Sequence, residues 1–459
     1  MLRDSMRALC RSLPGAFIGL LFLLPALRAG GLRADGPPSG LPPVILVPGT
    51  PGVELLDRKT GALIFPRAKL MFTRYGSDVL ALPLEHPEET EVVAGPLIRR
   101  VKVALGLTLK IDAYGPLLSR LRAQGYREGN WDRPGEGPEY YVLLYDWRQS
   151  VESSARTLYQ KMAALRARQP AGTPPFVMVG HSIGGMLIRY ALMYGEAPLG
   201  TSGPLPSVTW AGGALMSHAY LVAAPNEGTF AALCSLHKGN FYRLGWGAFS
   251  PETLFTLPGI FDMIPAHPDP LVDPHGQPLA WDLNDPDHWE RLHWSVFDPA
   301  HRRKLSLDEA RQHLRHELSR KARLLEALAA IGPTSNSVVM HLVGSDCNPV
   351  LRSGVVSGRE GHYKVRFKPP SGESRERLRG LLFEPGDGTI SRRSLTAADL
   401  PHDPRTTVDF ASVSLPCSSH HKLMGSPLFL DALLPELERI AHRSGGASVS
   451  ALTEKASKQ

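Results

Sequence analysis

Short unbroken apolar runs alternate with stretches of helical periodicity along most of the chain. Residues 43–47 (PVILV) stop at Pro48-Gly49, and similar runs follow at 140–145 (YYVLLY), 176–179 (FVMV), 220–224 (YLVAA) and 338–343 (VVMHLV). Each is bounded by Gly, Pro or polar residues, the pattern of strands buried on both faces in a parallel sheet. Between the second and third runs, Ala155, Leu158, Met162 and Leu165 recur at helical spacing, and Met186, Leu187 and Tyr190 open another helix directly after the third. Ser306 and Glu309 have capping-box spacing ahead of an apolar stripe of Leu307, Ala310, Leu314, Leu318 and Leu325. Residues 407–415 alternate like an outer strand, and 428–440 read as a closing helix. The whole predicts an α/β fold: a mostly parallel sheet with helices on both faces.

Two stretches break this rhythm. Residues 236–300 are rich in aromatics, Pro and Gly, with Trp246, Trp281, Trp289 and Trp294 and no period, as in an inserted cap or lid. Residues 353–379 are polar and basic, as in an exposed excursion. The expected organisation is therefore a core in two parts, 41–235 and 331–442, separated by a cap insertion and helix at 236–330 and followed by a flexible tail at 443–459. Residues 1–34 carry Arg3, Arg7 and Arg11, then the apolar run 16–27 (AFIGLLFLLPAL), then small and polar residues, the layout of a signal peptide. The run is short of the ~20 residues that span a bilayer. It predicts an exported protein, secreted or periplasmic, with an uncleaved membrane anchor as the second expectation.

Composition narrows the function classes. In 459 residues, 43% hydrophobic and 21% charged, there is ample material for a large core. Residues 1–34 hold five Arg and one Asp, a net +4 of the chain's +7, which leaves +3 scattered over the remainder. That excludes the clustered basic face of a nucleic-acid binder. Outside this segment stand Cys234, Cys347 and Cys417, enough for one intramolecular disulfide at most. No C-x-x-C or H-E-x-x-H spacing occurs, so no metal and no cofactor are expected.

Gly180-His181-Ser182-Ile183-Gly184 follows the run 176–179 and opens a helical segment, the context of a nucleophile elbow. A serine hydroxyl needs a base within hydrogen-bond reach and an acid to orient that base. In α/β-hydrolases these follow in the order Ser, Asp, His. Gly386-Asp387-Gly388-Thr389 places a carboxylate in a tight turn after what reads as the last interior strand, with Asp346 as the competing acid. Ser418-Ser419-His420-His421, in a loop before the final helix, offers His420 as the expected base, with His421 as the alternative. His181 is expected to point away from the site and to serve in packing. The backbone N–H groups of Ile183 and of Thr50, in the loop after the first strand, are the expected oxyanion donors.

Together these residues resemble the lecithin:cholesterol acyltransferase family, over roughly residues 43–437. The likeness is carried by Val47-Pro48-Gly49 with Gly52 and Leu55, Tyr145-Asp146-Trp147-Arg148, Gly180 to Gly185, 258–265 (PGIFDMIP) and Gly386 to Thr389. It implies an α/β-hydrolase fold, a serine acyl-enzyme, a phospholipid or other lipid ester as substrate, and a cap over the acyl pocket. The Tyr145–Arg148 motif is expected to be structural, with Asp146 pairing to Arg148. Pro427, seven residues after His420, favours that histidine by the spacing of lipases with this fold, whereas Met424, three after His421, favours the other by the family's. The family's disulfide-closed lid near the N-terminus has no counterpart, since no cysteine lies between Cys10 and Cys234. The resulting expectation is a lipid acyl hydrolase or O-acyltransferase. A small-ester carboxylesterase and a non-catalytic lipid-binding scaffold are the alternatives.

Overall fold

The apolar runs become strands β1 (Val44–Val47), β3 (Glu139–Val142), β4 (Phe176–His181), β5 (Met216–Val222) and β6 (Val339–Val343), joined by the short β2 (Arg127–Glu128) and by β7 (Phe410–Ser414). They form one seven-stranded sheet in the order β7-β6-β5-β4-β1-β3-β2, and every pairing is parallel. All residues of β1, β3 and β4 are buried, which is why these runs do not alternate. This computed structural model describes residues 40–67, 76–102, 108–239, 249–266, 268–330, 332, 337–369, 375–397 and 410–456. The expected signal peptide and the start of the run 407–415 lie outside them.

Strand β1 is flanked by β3 on one side and β4 on the other, so the chain changes direction across it. In an open parallel sheet such a switch point leaves a crevice at the strands' carboxyl ends. Val47 of β1 pairs with Gly180 of β4, so the loop after β1 and the turn after β4 leave the sheet side by side.

Helix α1 (Gly115–Ala123) follows Tyr114. Helix α2 (Val151–Arg168) buries Ala155, Leu158, Met162 and Leu165, and α3 (Ile183–Tyr194), directly behind Ser182, is buried along its whole length. Helix α4 (Phe230–Lys238) precedes the aromatic insertion. Helix α5 (Leu307–Ala329) opens with a complete capping box between Ser306 and Glu309. Its last carbonyls are taken by α3: Arg189 donates to Leu328 O at 2.6 Å and Tyr194 to Ala327 O at 2.7 Å. Helix α6 runs Pro427–Ala456, well past the apolar spacing that ends at 440. None of the described helices is long and apolar enough to cross a membrane.

Much of the described part of the aromatic insertion is buried, while Trp246 lies outside the described residues. Trp289 and Trp294 are fully buried, and Asp262, also fully buried, ties the insertion to two helices by accepting from Val151 N (2.7 Å) and pairing with Arg320 (2.6 Å). Likewise Arg148 is buried and pairs with Asp146 at 2.7 Å while donating to Leu80 O and Thr90 Oγ1. Residues Phe383–Gly386, just before the Asp387 turn, pair antiparallel with Asn348–Leu351 in a ribbon outside the main sheet. Pro385, with no N–H to give a ladder, suits that position and not a central one. Of the three cysteines outside residues 1–34, Cys347 and Cys417 form a disulfide, tying the loop after β6 to the loop after β7.

Candidate active site

Strand β4 ends at His181 and α3 begins at Ile183, so Ser182 makes the whole turn, with φ 54° and ψ −130°. Positive φ at a residue with a Cβ costs about 1–3 kcal/mol and persists only where neighbours impose it. Here Ser182 N–H donates to Val222 O at 2.8 Å and Ser182 O accepts from Gly185 N–H at 2.9 Å. Glycines allow the close approach: a Cβ at 184 would collide with the Val47 carbonyl, and one at 49 would lie 2.8 Å from Ser182 Cβ. The loop after β1 is thus pressed against the elbow.

Asp387 sits in its tight turn with Oδ1 accepting from Thr389 N (2.8 Å) and Ile390 N (2.7 Å), and Oδ2 2.8 Å from His420 Nδ1. A second link runs through the backbone, His420 N–H to Asp387 O at 3.1 Å. Asp387 is 2% exposed and His420 6%. A carboxylate can only accept, so Nδ1 carries the hydrogen and Nε2 is left as the ring's acceptor. Cys417, three residues before His420, anchors the start of this loop through its disulfide.

Of the competing residues, only Asp346 falls elsewhere among the described residues. Asp346 faces Arg392 at 3.7 Å with its side chain 39% exposed. His421 borders the same cavity, its ring edge-on to His420 at 5.4 Å. Burial, then the neighbouring His420, push its pKa down to about 4 against a smaller pull from Asp387, so it is neutral at pH 7.

Ser182, Thr50, His420 and His421 line one cavity of about 340 Å³. Among the described residues, no hydrogen bond joins the Ser182 hydroxyl to either imidazole; such contacts are commonly long in unliganded enzymes. The N–H of Ile183, as the first of helix α3, lacks an intrahelical acceptor. Cys234 also lines the cavity, but burial raises its thiol to about 11, which keeps it protonated and a poor nucleophile. The walls draw on two parts of the chain. Among the described residues the insertion supplies Lys238 and Met263, whereas Leu351, Phe367, Lys368 and Phe383 come from the excursion and its flanks.

Two contributors were missed by the sequence reading or undervalued in it. Tyr114 Oη accepts from Gly49 N–H at 2.9 Å and lies 3.1 Å from His181 Nδ1, while His181 Nε2 lies 3.2 Å from the carbonyl oxygen of His420. Since the carbonyl can only accept, Nε2 carries the ring hydrogen and the phenol donates to Nδ1. Burial first, then His420 and His421, hold the His181 pKa well below the ordinary histidine range, which keeps this neutral tautomer. His181 is therefore turned from the cavity, as expected, but it is more than packing: it couples the loop after β1 to the backbone of His420. Its position beside Ser182 was a hint. Tyr114, 67 residues away, offered none.

Compared by sequence, the chain matches no family model and no curated protein. Among solved structures it is similar to the crystal structure of a Tle4–Tli4 complex, with TM-score 0.52 at 14% identity over 87% of this chain and 98% of that one. Phospholipase PlaB from Legionella pneumophila matches at 15% identity over 72% of this chain and 57% of that one, with TM-score 0.33. EstA from Clostridium botulinum matches at 12% identity over 87% and 88%, with TM-score 0.32. What the first of these likenesses carries is the architecture, and with the parallel sheet and its strand–turn–helix elbow it gives this chain an α/β-hydrolase fold.

Proposed function

We propose that the chain is a serine-dependent acyl hydrolase or O-acyltransferase acting on phospholipid or glycerolipid esters, exported by way of residues 1–34. The observation that carries this is the buried Asp387–His420 pair, whose imidazole lines the cavity that also holds the strained Ser182. The motif resemblance to the lecithin:cholesterol acyltransferase family supports the choice of a lipid ester.

In this mechanism His420 Nε2 takes the Ser182 proton as Oγ attacks the ester carbonyl. The N–H groups of Ile183 and Thr50 hold the oxyanion, and Asp387 stabilises the imidazolium. The C–O bond to the alcohol then breaks, His420 returns the proton to the leaving oxygen, and the acyl chain stays on Ser182. Water or a second alcohol, deprotonated by His420, releases it as acid or new ester. No step needs a cofactor.

The test is a labelled phospholipid incubated with and without an added alcohol or sterol, with products read by mass spectrometry and Ser182 occupancy read by a fluorophosphonate probe. Free fatty acid alone indicates a hydrolase, and a new ester indicates a transferase. Absence of both, with Ser182 unlabelled, sinks the reading.

A further inference from the structure

The basic stretch 353–379 is only in part an exposed excursion. Val355–Ser357 and Lys364–Arg366 pair as an antiparallel hairpin, and the chain leaving it enters the wall of the catalytic cavity at Phe367 and Lys368. Phe367 is buried, whereas Lys368 is exposed. Lys238, the last residue of α4, lines the same cavity and is also exposed, with its ammonium 4.6 Å from the centre of the Phe367 ring. That is a cation–π distance, and it restrains an otherwise flexible side chain.

Ser182 and His420 are buried, so the reacting groups stand at the closed end of the cavity and two ammonium groups at its solvent end. Among the described residues no Asp or Glu lines the cavity, and neither lysine has an ion-pair partner. A lysine at a helix C-terminus is favourable there in any case, which accounts for Lys238 taken alone. It does not account for a second lysine, from a distant segment, on the same cavity wall, where no acid stands among the described residues.

Building on the hydrolase reading, we propose that the cavity selects acyl esters with a net-negative phosphate head group, Lys238 and Lys368 binding its oxygens while the acyl carbonyl reaches Ser182. An ammonium is a strongly hydrated point charge suited to phosphate oxygens. A choline head group brings its own cation, which the same pair of lysines repels. The apolar wall of Met263, Leu351, Phe367 and Phe383 takes the acyl chain.

The test uses short-chain diacyl lipids below their micelle concentration, so that attraction to a charged surface plays no part. Phosphatidylglycerol and phosphatidylcholine head groups are compared twice: as uncleavable diethers for affinity by calorimetry, and as diesters for kcat/KM. The anionic head group is expected to win by about ten-fold in both readouts, the scale of one or two partly exposed charge-assisted contacts. Lys238→Gln with Lys368→Gln brings both ratios to about one. Lys364→Gln with Arg366→Gln, exposed on the same hairpin but outside the cavity wall, keeps the wild-type ratios. A wild-type ratio near one, or equal flattening by the hairpin control, overturns the proposal. Diether discrimination without turnover of any ester supports it while sinking the hydrolase reading, so the two failures look different.

Discussion

Asp387 and His420 are buried, joined to each other through side chain and backbone, and braced by the Thr389 and Ile390 N–H groups. At the rim of the same cavity, Lys238 and Lys368 are exposed, and Lys238 is steadied by a cation–π contact with Phe367. Floor and rim thus hold their groups by different means. Proton transfer is sensitive to errors of a fraction of an ångström, so the floor hangs on backbone donors and a strained turn that rigid neighbours impose. Head-group recognition tolerates looser geometry, so long flexible cations at the rim suffice for it.

If the floor acts as one unit, its substitutions should be severe and mutually non-additive. Ser182→Ala should lower kcat by about 10⁵–10⁶-fold with the fold intact. Asp387→Asn should lower it by about 10⁴-fold by inverting the His420 tautomer, with KM nearly unchanged. Steady-state kinetics of the two single variants and the double variant check this. A double variant much worse than Ser182→Ala would mean that Asp387 works apart from the serine, breaking the contrast with the rim.

The same division explains what could be read in advance. The elbow was legible because its cause is local: an apolar strand, Gly180 and Gly184 around Ser182, and a helix behind it. The sheet was legible because β1, β3 and β4 are buried on both faces and so appear as unbroken apolar runs. The choice between His420 and His421 was legible only in part, since Pro427 and Met424 point to different histidines and the contact with Asp387, which is made by His420, depends on tertiary packing. The partner of each cysteine, the Tyr114–His181 link and the cavity wall at Phe367 and Lys368 depend on segments brought together by tertiary packing. The contribution of the insertion at 236–300 to the cavity wall, through Lys238 and Met263, was hidden for a related reason. Trp289 and Trp294 are buried, and the Trp294 ring packs edge-on against Phe367 of the cavity wall, 5.8 Å between centres, a contact between segments far apart in the chain.

A smaller effect sharpens where the floor ends. Tyr114→Phe leaves the Gly49 N–H and the His181 Nδ1 without their buried partner, a loss of about 1–3 kcal/mol in stability. If the link also positions the base and the loop after β1, kcat should fall about ten-fold while KM stays within about two-fold. Chemical denaturation and a kcat-against-KM comparison separate the two roles. A lower melting temperature with wild-type kcat would confine Tyr114 to packing.

The smallest expected effect lies at the boundary, with His421. Its folded pKa of about 4 is below the ordinary 6.5, so between these values the folded chain binds fewer protons than the unfolded one. Its contribution to stability is therefore complete above pH 6.5 and is lost as pH falls toward 4. His237, also pushed down to about 4 by burial, and His181 act in the same direction, so the acid-side slope is shared among several groups. Replacing His421 by Asn should make the fall in melting temperature between pH 6.5 and 4 shallower without abolishing it. At neutral pH, kcat should remain within a few-fold of wild type, because the pair with Asp387 belongs to His420. An unchanged slope would mean that His421 titrates normally in the folded protein, and a collapse of kcat would move the base from His420 to its neighbour.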